Sequence, residues 1–351
     1  MKRFISFLNK DYFFNLGLFL IITVIFLNHI HNTTNPYKKI DFKFQNKETF
    51  ILIEKSELKK ELSKNLIVKE SHKMFFDREC KITGDFHDRH KVRWVKALFF
   101  KTIFNYAYTL DEKLPYYLNI IVHSLVIFLT LIILNKTFNL ERKYVLIFLL
   151  YITFVFQQYL SEYDYSIFET FFLSISLYAS KNKKYLLFLL SCSLAILNRE
   201  SGFIIIFSWL LFNNNEFKKL FLSFILTGLI FLIINFDILE CLVNPKFFIP
   251  LERQEGQVNF SDIANMNFVS LVKLLLTNFL LPFGIGFYYL ALTVNKNKIL
   301  IILFVIYFFT FLIAAPFHDI SVRLILLPLI MTSIYFYNLE KILKIDKSDA
   351  H

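Results

Sequence analysis

Long apolar runs recur along the whole chain and restrict its fold more than any other feature of the sequence. Several are about 17 to 22 residues long, which is the length that an α-helix needs to cross a hydrocarbon core of roughly 30 Å. The pattern predicts an all-α membrane protein with about ten transmembrane helices. The predicted spans lie approximately at 12–30, 115–134, 144–160, 165–180, 185–197, 203–212, 220–236, 269–292, 299–315 and 322–340.

Composition argues against a soluble protein. Hydrophobic residues make up 56% of the 351 residues, whereas soluble domains use roughly 45 to 50% apolar residues even when Gly is counted. The mean hydropathy is +0.51. The formal net charge is +11, but the basic residues stand at the ends of apolar spans and do not form one patch. Membrane topology therefore explains the charge, and nucleic acid is not predicted as a partner.

Basic residues cluster in every second connection between the predicted spans. Lys and Arg in short loops mark the cytoplasmic side of a membrane. The alternation therefore predicts a multi-pass protein of the plasma membrane, corresponding to a bacterial inner membrane, with both termini in the cytoplasm. The basic connections contain Lys136, Arg142, Lys143, Lys181, Lys183, Lys184, Lys218, Lys219, Lys296, Lys298, Lys341, Lys344 and Lys347.

The segment 185–212 allows two topologies, because each of its halves is short for an upright span. It is either one tilted helix with Arg199 and Glu200 at its middle or a hairpin of two short helices with NRES near the outer surface. One tilted helix would place the later basic connections outside. The positive-inside rule therefore favours the hairpin.

Residues 31–114 are predicted to form a large outer loop, within a single membrane domain covering 1–351 whose remaining transmembrane helices occupy 115–340. Near the end of the loop, apolar residues such as Val95, Phe99 and Tyr106 follow helical spacing, with Lys96 and Lys101 between them. Such a pattern is typical of an interfacial helix lying along the membrane surface.

The sequence GDFHDRHKVRW, residues 84–94, is the densest group of ionisable side chains. Asp85 and Asp88, with two histidines and three basic residues around them, can supply a general base, a ligand set for a divalent metal ion or a phosphate clamp. The alternative is a solvated loop whose charges pair with each other. The sequence does not decide between these alternatives, so the cofactor is unknown and a divalent metal ion is one candidate.

Further ionisable residues occur at or inside the predicted outer ends of the spans. Charges at membrane depth are costly and need partners or a water-filled site. For several of them a purely structural role stays open beside a functional one. Arg199 and Glu200 can pair with each other, Arg323 can be an interface anchor, and a histidine in an apolar helix can bond a neighbouring helix. The candidates are Glu162, Asp164, Glu169, Arg199, Glu200, Arg323, Asn119 and His123.

Three stretches together resemble the GT-C integral-membrane glycosyltransferases, particularly their O-mannosyltransferase-like branch. They are HDRHKVRWVKALFFKTIFNYAYTLDEKLPYYLNIIVH, EYDYSIFETFFLSISLYAS and LLSCSLAILNRESGFIIIFSWLLF, and they lie within residues 87–212. The resemblance implies a sugar donor carried on a polyprenyl phosphate and a carboxylate of the first outer loop as the base. It extends to Arg199 and Glu200 in the K/R-E motif, and to Asn119 and His123 in the N-x-x-x-H span.

The sequence departs from that family at the catalytic acid. The family has an acid, often an adjacent pair, soon after the first span, whereas HIHNTTNPYKK follows the span here and the first acid is the single Asp41. The base is therefore either Asp41 or the Asp85 and Asp88 pair. The pair is favoured because it lies beside the arginines and the predicted interfacial helix.

A chemical argument predicts the same class from the predicted location of the acids. Nucleotide sugars and ATP are absent outside the cell, so group transfer there needs a substrate that is activated in the cytoplasm and presented from the membrane, as a lipid phosphate is. An arginine fork suits the phosphate leaving group, and Glu162, Asp164 or an aspartate of the loop suits the acceptor hydroxyl. The predicted partners are a lipid-linked sugar donor and membrane lipids.

A transporter or flippase for lipid-linked saccharides is the competing class, and a polymerase or ligase of surface polysaccharide is a third. Transporters tend to show internal repeats and helices broken by Gly or Pro. This chain has no evident repeat and only 7 Gly. The large outer loop and the outward bias of the acids favour an enzyme.

Overall fold

The computed structural model describes residues 10–33, 40–43, 50–53, 94–95, 114–159, 164–243, 265–276, 280–314 and 326–348. Within these residues the chain is helical apart from two short strands and the connecting turns. The predicted all-α fold class is confirmed. Two stretches, Ile121–Phe138 and Phe217–Ile234, are long and apolar enough to cross a membrane.

The helices are numbered here in chain order. They are α1 Lys10–Thr33, α2 Leu114–Phe138, α3 Arg142–Tyr159, α4 Asp164–Lys181, α5 Tyr185–Asn198, α6 Phe217–Ile234, α7 Leu239–Val243, α8 Phe268–Leu275, α9 Leu281–Thr293, α10 Lys298–Ala314 and α11 Leu326–Ser348. Two 3₁₀ helices, Glu200–Leu211 and Phe236–Ile238, flank α6; the longer one is called the 200–211 helix. Strands β1 Ile40–Lys43 and β2 Phe50–Ile53 pair antiparallel.

The run predicted as one span over 269–292 contains two described helices, α8 and α9, on either side of residues 277–279, which lie outside the described part. Pro282 stands in the first turn of α9. Proline has no amide hydrogen and its ring clashes with the carbonyl four residues back, so a helix accepts it best in its first turn. The position of Pro282 therefore fits a helix that begins at Leu281.

Helix α4 packs against α2, α5, the 200–211 helix and α11. Small polar side chains make several of these contacts. Ser176 and Ser191 join α4 to α5 through their hydroxyls at 2.7 Å, and the Ser180 hydroxyl donates to the carbonyl of Trp209 at 3.0 Å. Small hydroxyl residues allow close helix packing where apolar burial cannot drive it, as in lipid. These bonds hold α4 and the two following helices together.

The chain folds back on itself after α5. Helix α5 ends at Asn198, Arg199 has an extended backbone with φ −163° and ψ 146°, and the 200–211 helix follows. The rings of Tyr185 and Phe188, near the start of α5, lie 5.4 and 4.9 Å from the ring of Trp209 near the end of the 200–211 helix. Opposite ends of the two helices meet, so the predicted hairpin is confirmed and the single tilted helix is excluded.

Gly202 permits the close approach of the two arms of this hairpin. A Cβ atom at this position would lie 2.4 Å from the carbonyl carbon of Ala195 and 2.6 Å from the amide nitrogen of Ile196. Both are backbone atoms, which cannot turn aside as a side chain can. Because a 3₁₀ helix rises about 2.0 Å per residue, the returning arm extends farther than an α-helix of equal length would.

The basic connections meet at one end of the bundle, which is called the basic end. Lys181 of α4 donates to the carbonyl of Thr137 in α2, and its Nζ atom lies 4.4 Å from the centre of the Tyr335 ring in α11. Lys219 of α6 lies 5.6 Å from the Trp209 ring. The connections after α2, α4 and the 200–211 helix are therefore neighbours.

The remaining described basic connections lie at the same end. The hydroxyls of Tyr144 in α3 and Tyr289 in α9 are 2.8 Å apart, and the ring of Tyr289 contacts that of Tyr337 in α11 at 5.1 Å. Lys296 pairs with Glu340. The alternation of charge that was predicted from the sequence thus corresponds to a physical clustering of the basic connections.

Glu216 closes the turn between the 200–211 helix and α6 at the basic end. Its carboxylate accepts a hydrogen bond from the indole of Trp209 at 3.1 Å and pairs with Lys219 at 3.0 Å. The hydrogen bond from Lys219 is the main cause that lowers the pKa of Glu216. The carboxylate therefore stays ionised at neutral pH.

Replacing Gly202 tests the hairpin contact. We expect Gly202→Ala to lower the stability of the purified protein by about 1 to 3 kcal/mol, because the added methyl group meets fixed backbone. Gly228→Ala in α6 is the control, since a Cβ there meets nothing within 4 Å, and its effect should stay within about 1 kcal/mol and be favourable. Thermal unfolding in detergent measures both, and equal behaviour of the two variants would contradict the close contact.

Candidate functional site

A buried carboxylate lies at the end of the bundle opposite the basic end. The side chain of Glu169, on α4, is 0% exposed. The Ser201 hydroxyl donates a hydrogen bond to its Oε1 atom, and the Nη1 atom of Arg199 lies 4.0 Å from its Oε2 atom. Glu169, Arg199 and Ser201 are called the Glu169 cluster. A buried ionised carboxylate is costly without such partners, so the cluster fixes the turn of the hairpin against α4.

Arg199 is not fully buried, since 16% of its side chain is accessible. Its distance of 4.0 Å from Glu169 is longer than a hydrogen bond. The guanidinium carries five N–H donors, and none of them donates to an acceptor in the part of the chain that the structure describes. Phosphate oxygens are acceptors that a guanidinium binds in pairs.

Other buried polar side chains surround the Glu169 cluster. His123 of α2 is 5% exposed, and its ring lies 5.9 Å from that of Phe168, the neighbour of Glu169 in the chain. Tyr307 of α10 is buried, and α10 packs against the 200–211 helix. Helices α2, α4 and α10 and the hairpin therefore all contribute polar groups to this end of the bundle.

Two serine hydroxyls add unused hydrogen-bonding capacity to the same helices. Ser124 follows His123 on α2, and Ser166 precedes Glu169 by one helical turn on α4. Both hydroxyl oxygens are buried and have no hydrogen-bond partner among the residues that the structure describes. Buried polar groups of this kind are rare in folded proteins. They are additional groups that could bind the hydroxyls of a ligand.

Trp94 brings the end of the GDFHDRHKVRW segment to this part of the bundle. Its indole nitrogen donates to Oδ1 of Asn235, which follows α6, at 3.2 Å. Phe231 near the end of α6 contacts Phe203 at the start of the 200–211 helix, with ring centres 6.0 Å apart. Trp94 therefore lies at the same end of the bundle as Arg199.

The structure places only some of the predicted site residues. Arg199 and His123 lie in or beside the cluster, and Glu200 begins the 200–211 helix. Among the described residues, the carboxylate that Arg199 pairs with is Glu169, so of the two readings left open for Arg199 the structure does not show the pair with Glu200. Asp41 lies on β1 opposite Leu52. Asn119 lies within α2, and Asp164 is the first residue of α4.

The remaining predicted site residues, Asp85, Asp88, Glu162 and Arg323, lie outside the described residues, as do most of the 84–94 segment and its metal ligand candidates. Within the described ranges, no group of three or more His, Cys, Asp or Glu side chains could hold a metal ion. Sequence reasoning noted Glu169 as an acid inside an apolar helix but did not identify its partner. It missed Ser201, whose only signal was its place beside the charges of NRES.

Comparison with known proteins gives no match to a family model, a curated protein or a solved structure. The arguments for function therefore depend on the residues of this chain.

The Glu169 cluster predicts a measurable coupling between two charges. Glu169→Gln should lower the melting temperature because the largely buried charge of Arg199 loses its carboxylate, and adding Arg199→Gln should recover part of the loss. Glu141→Gln is the control, because Glu141 is 67% exposed and pairs with Lys143 at the surface, where ion pairs contribute little. Thermal unfolding of the wild type, the two single variants, the double variant and the control measures the coupling. Losses that simply add in the double variant would show that the two charges do not interact.

Proposed function

We propose that the protein is a membrane glycosyltransferase of the GT-C type, which moves a sugar from a polyprenyl-phosphate donor to an acceptor on the outer face of the membrane. The observation that carries this proposal is the guanidinium of Arg199. It lies beside a buried carboxylate with its hydrogen-bond donors available, at the end of the bundle opposite the basic end. The resemblance of residues 87–212 to that family supports the same class.

The proposal includes a chain that crosses the membrane about ten times, with the basic end and both termini in the cytoplasm. Clustered Lys and Arg side chains are typical of cytoplasmic ends. Large apolar side chains on the outside of the bundle also support a lipid environment: Leu186 of α5 is 82% exposed, and Phe221 and Ile233 of α6 are 68% and 70% exposed. Acyl chains would cover these surfaces. The Glu169 cluster would then lie toward the outer face.

The chemical step follows from the groups at that face. The oxygen of an acceptor hydroxyl attacks the anomeric carbon, and the bond from that carbon to the phosphate oxygen breaks. The proton of the hydroxyl passes to a carboxylate, and the lipid phosphate leaves with the electron pair of the broken bond. Arg199 would stabilise the charge that develops on the phosphate, since its N–H groups can meet two oxygens at once.

The carboxylate that accepts the proton is proposed to be Asp88 or Asp85. Asp88 precedes Trp94 by six residues, so chain length alone keeps it within about 20 Å of the Trp94 contact with Asn235. That contact is at the same end of the bundle as Arg199. Asp41 of β1 is the alternative, because its place in the chain is nearer to that of the family's acid.

Cysteine labelling tests the proposed topology. In a background with Cys80, Cys192 and Cys241 replaced by Ser, single cysteines at the exposed turn residues Asn182, Asn214 and Asn295 should all react with a membrane-permeant reagent and be protected from an impermeant one added outside intact cells. The positive-inside arrangement requires all three at the cytoplasmic side. Labelling of the Asn214 position alone from outside would overturn the topology after the hairpin.

A set of carboxylate variants tests the reaction. Proteoliposomes that contain a polyprenyl-phosphate-linked sugar and an acceptor fraction from the host membrane should release polyprenyl phosphate when the protein is present. Replacing the base by its amide should lower turnover by about 10² to 10⁴. We expect this result for Asp88→Asn or Asp85→Asn, and not for Asp237→Asn, an exposed aspartate near the Trp94 contact.

Arg199→Gln tests the phosphate role in the same assay. It should raise the apparent KM for the donor or lower turnover, whereas Arg142→Gln at the basic end should do neither. Loss in Asp41→Asn alone would move the base and keep the enzyme class. Full activity of Asp41→Asn, Asp85→Asn, Asp88→Asn, Glu162→Gln and Asp164→Asn, together with net movement of the intact donor across the bilayer, would favour a transporter.

A further inference from the structure

The ion pair of the Glu169 cluster has an unusual length for partners that are so well buried. Arginine and carboxylate side chains in contact commonly share two parallel hydrogen bonds of about 2.7 to 2.9 Å. Here the nearest nitrogen and oxygen are 4.0 Å apart, although Glu169 is 0% and Arg199 only 16% exposed. The two groups interact through their charges but do not hydrogen-bond.

Ser201 accounts for this separation. Its hydroxyl donates to Oε1 of Glu169, which directs one carboxylate oxygen toward the 200–211 helix. The position of Ser201 relative to α5 is restricted, because the next residue, Gly202, is packed directly on the backbone of Ala195. The 200–211 helix that contains Ser201 also packs against α4. The hairpin turn thus holds the carboxylate in an orientation that does not form a two-pronged contact with the guanidinium.

Two consequences follow for an anion that approaches Arg199. Glu169 compensates the charge of the arginine while no anion is bound, and its own negative charge then repels the anion. Within the part of the chain that the structure describes, the donors of the guanidinium are not used, and the bond from Ser201 to Glu169 keeps the carboxylate from taking them. The first effect weakens anion binding, and the second strengthens it.

We propose that Glu169 and Ser201 are positioning residues that adjust the affinity of Arg199 for a phosphate group: Glu169 competes with the phosphate for the guanidinium, and Ser201 limits this competition. The inference rests on the phosphate role of Arg199 in the proposed function. In a transferase cycle, the competition would help the product lipid phosphate to leave. It therefore favours turnover at the expense of tight binding.

The two residues are expected to act in opposite directions. Glu169→Gln keeps an oxygen that can accept from Ser201 but removes the competing charge, so phosphate should bind about tenfold more tightly. Ser201→Ala frees the carboxylate to approach Arg199, so phosphate should bind about tenfold more weakly. A purely structural role would weaken binding in both variants. Glu169→Asp, which keeps the charge, should remain closer to the wild type than Glu169→Gln does.

The experiment uses the full-length protein in nanodiscs of phosphatidylcholine with increasing fractions of polyprenyl phosphate. Stabilisation against thermal unfolding reports the apparent Kd. Inorganic phosphate is titrated separately into nanodiscs without that lipid, which distinguishes recognition of a lipid headgroup from binding of the free ion. Ser193→Ala is the matched control, since Ser193 also lies in the hairpin but bonds to the carbonyl of Leu189 in its own helix.

The outcomes separate the inference from the proposed function. Tighter binding in Glu169→Gln and weaker binding in Ser201→Ala, with Ser193→Ala unchanged, support the inference. If Arg199→Gln abolishes binding while both cluster variants behave like Ser193→Ala, the positioning role is wrong and the phosphate site stands. Absence of binding in the wild type in both arms removes the phosphate site itself.

Steady-state kinetics also test whether Glu169→Gln tightens binding of the phosphate group. In the transfer assay, Glu169→Gln should lower the KM for the donor and kcat together, because tighter ground-state binding retains the product. If Glu169→Gln is not recovered as a folded protein, Ser201→Ala decides alone. Unchanged or tighter phosphate binding in that variant overturns the inference.

Discussion

A buried carboxylate must be compensated, and this requirement of Glu169 organises one end of the molecule. Both partners identified for the carboxylate in the Glu169 cluster come from the turn between α5 and the 200–211 helix. Arg199 can serve because α5 stops one residue earlier, at Asn198. A single charge on α4 thus interacts with two residues of the turn, Arg199 and Ser201. If the turn moved by one residue, the carboxylate would lose at least one of these partners.

The basic side chains at the two ends of the bundle have different kinds of partner. At the basic end, Lys181 and Lys184 lie over aromatic rings at 4.4 and 5.4 Å, where the attraction needs no anion. Lys219 lies over a ring at 5.8 Å and also forms a direct ion pair with Glu216. At the other end, Arg199 faces a carboxylate that it does not touch. The lysines are in contact with aromatic rings, whereas the guanidinium of Arg199 forms no hydrogen bond within the described residues. The proposed function assigns a structural role to the first arrangement and a binding role to the second.

Sequence reasoning predicted the helices well because their signal is local. The apolar runs identified α4 and α6 to within a few residues, and the alternation of basic loops favoured the hairpin at NRES, which the rings of Tyr185 and Trp209 confirm. It could not pair Glu169 with Arg199, because no periodic pattern links the two positions across the intervening turns. The pairing alternative that it left open for Arg199 was its neighbour Glu200, because a sequence shows directly only which residues are adjacent along the chain.

The backbone contact of Gly202 and the identity of the catalytic base could not be predicted from the sequence, each for its own physical reason. The contact of Gly202 with Ala195 is a meeting of two backbones, and a glycine in a sequence does not reveal which backbone it will meet. The choice between Asp41 and the Asp85 and Asp88 pair stays a prediction, because it depends on how the segment predicted as the outer loop is placed, and composition carries no information on that.

The 3₁₀ form of the 200–211 helix also determines the shape of its contact face. With three residues per turn, Gly202, Ile205, Ser208 and Leu211 stand directly above one another, and all four are buried. In an α-helix the same row would turn by about 60° at each step and carry Leu211 to roughly the opposite side from Gly202. The row here is a straight ridge parallel to the axis, where α-helices offer only oblique ridges. A straight ridge can lie along the neighbouring helices over its whole length, so the returning arm of the hairpin can be enclosed on one face from Gly202 to Leu211.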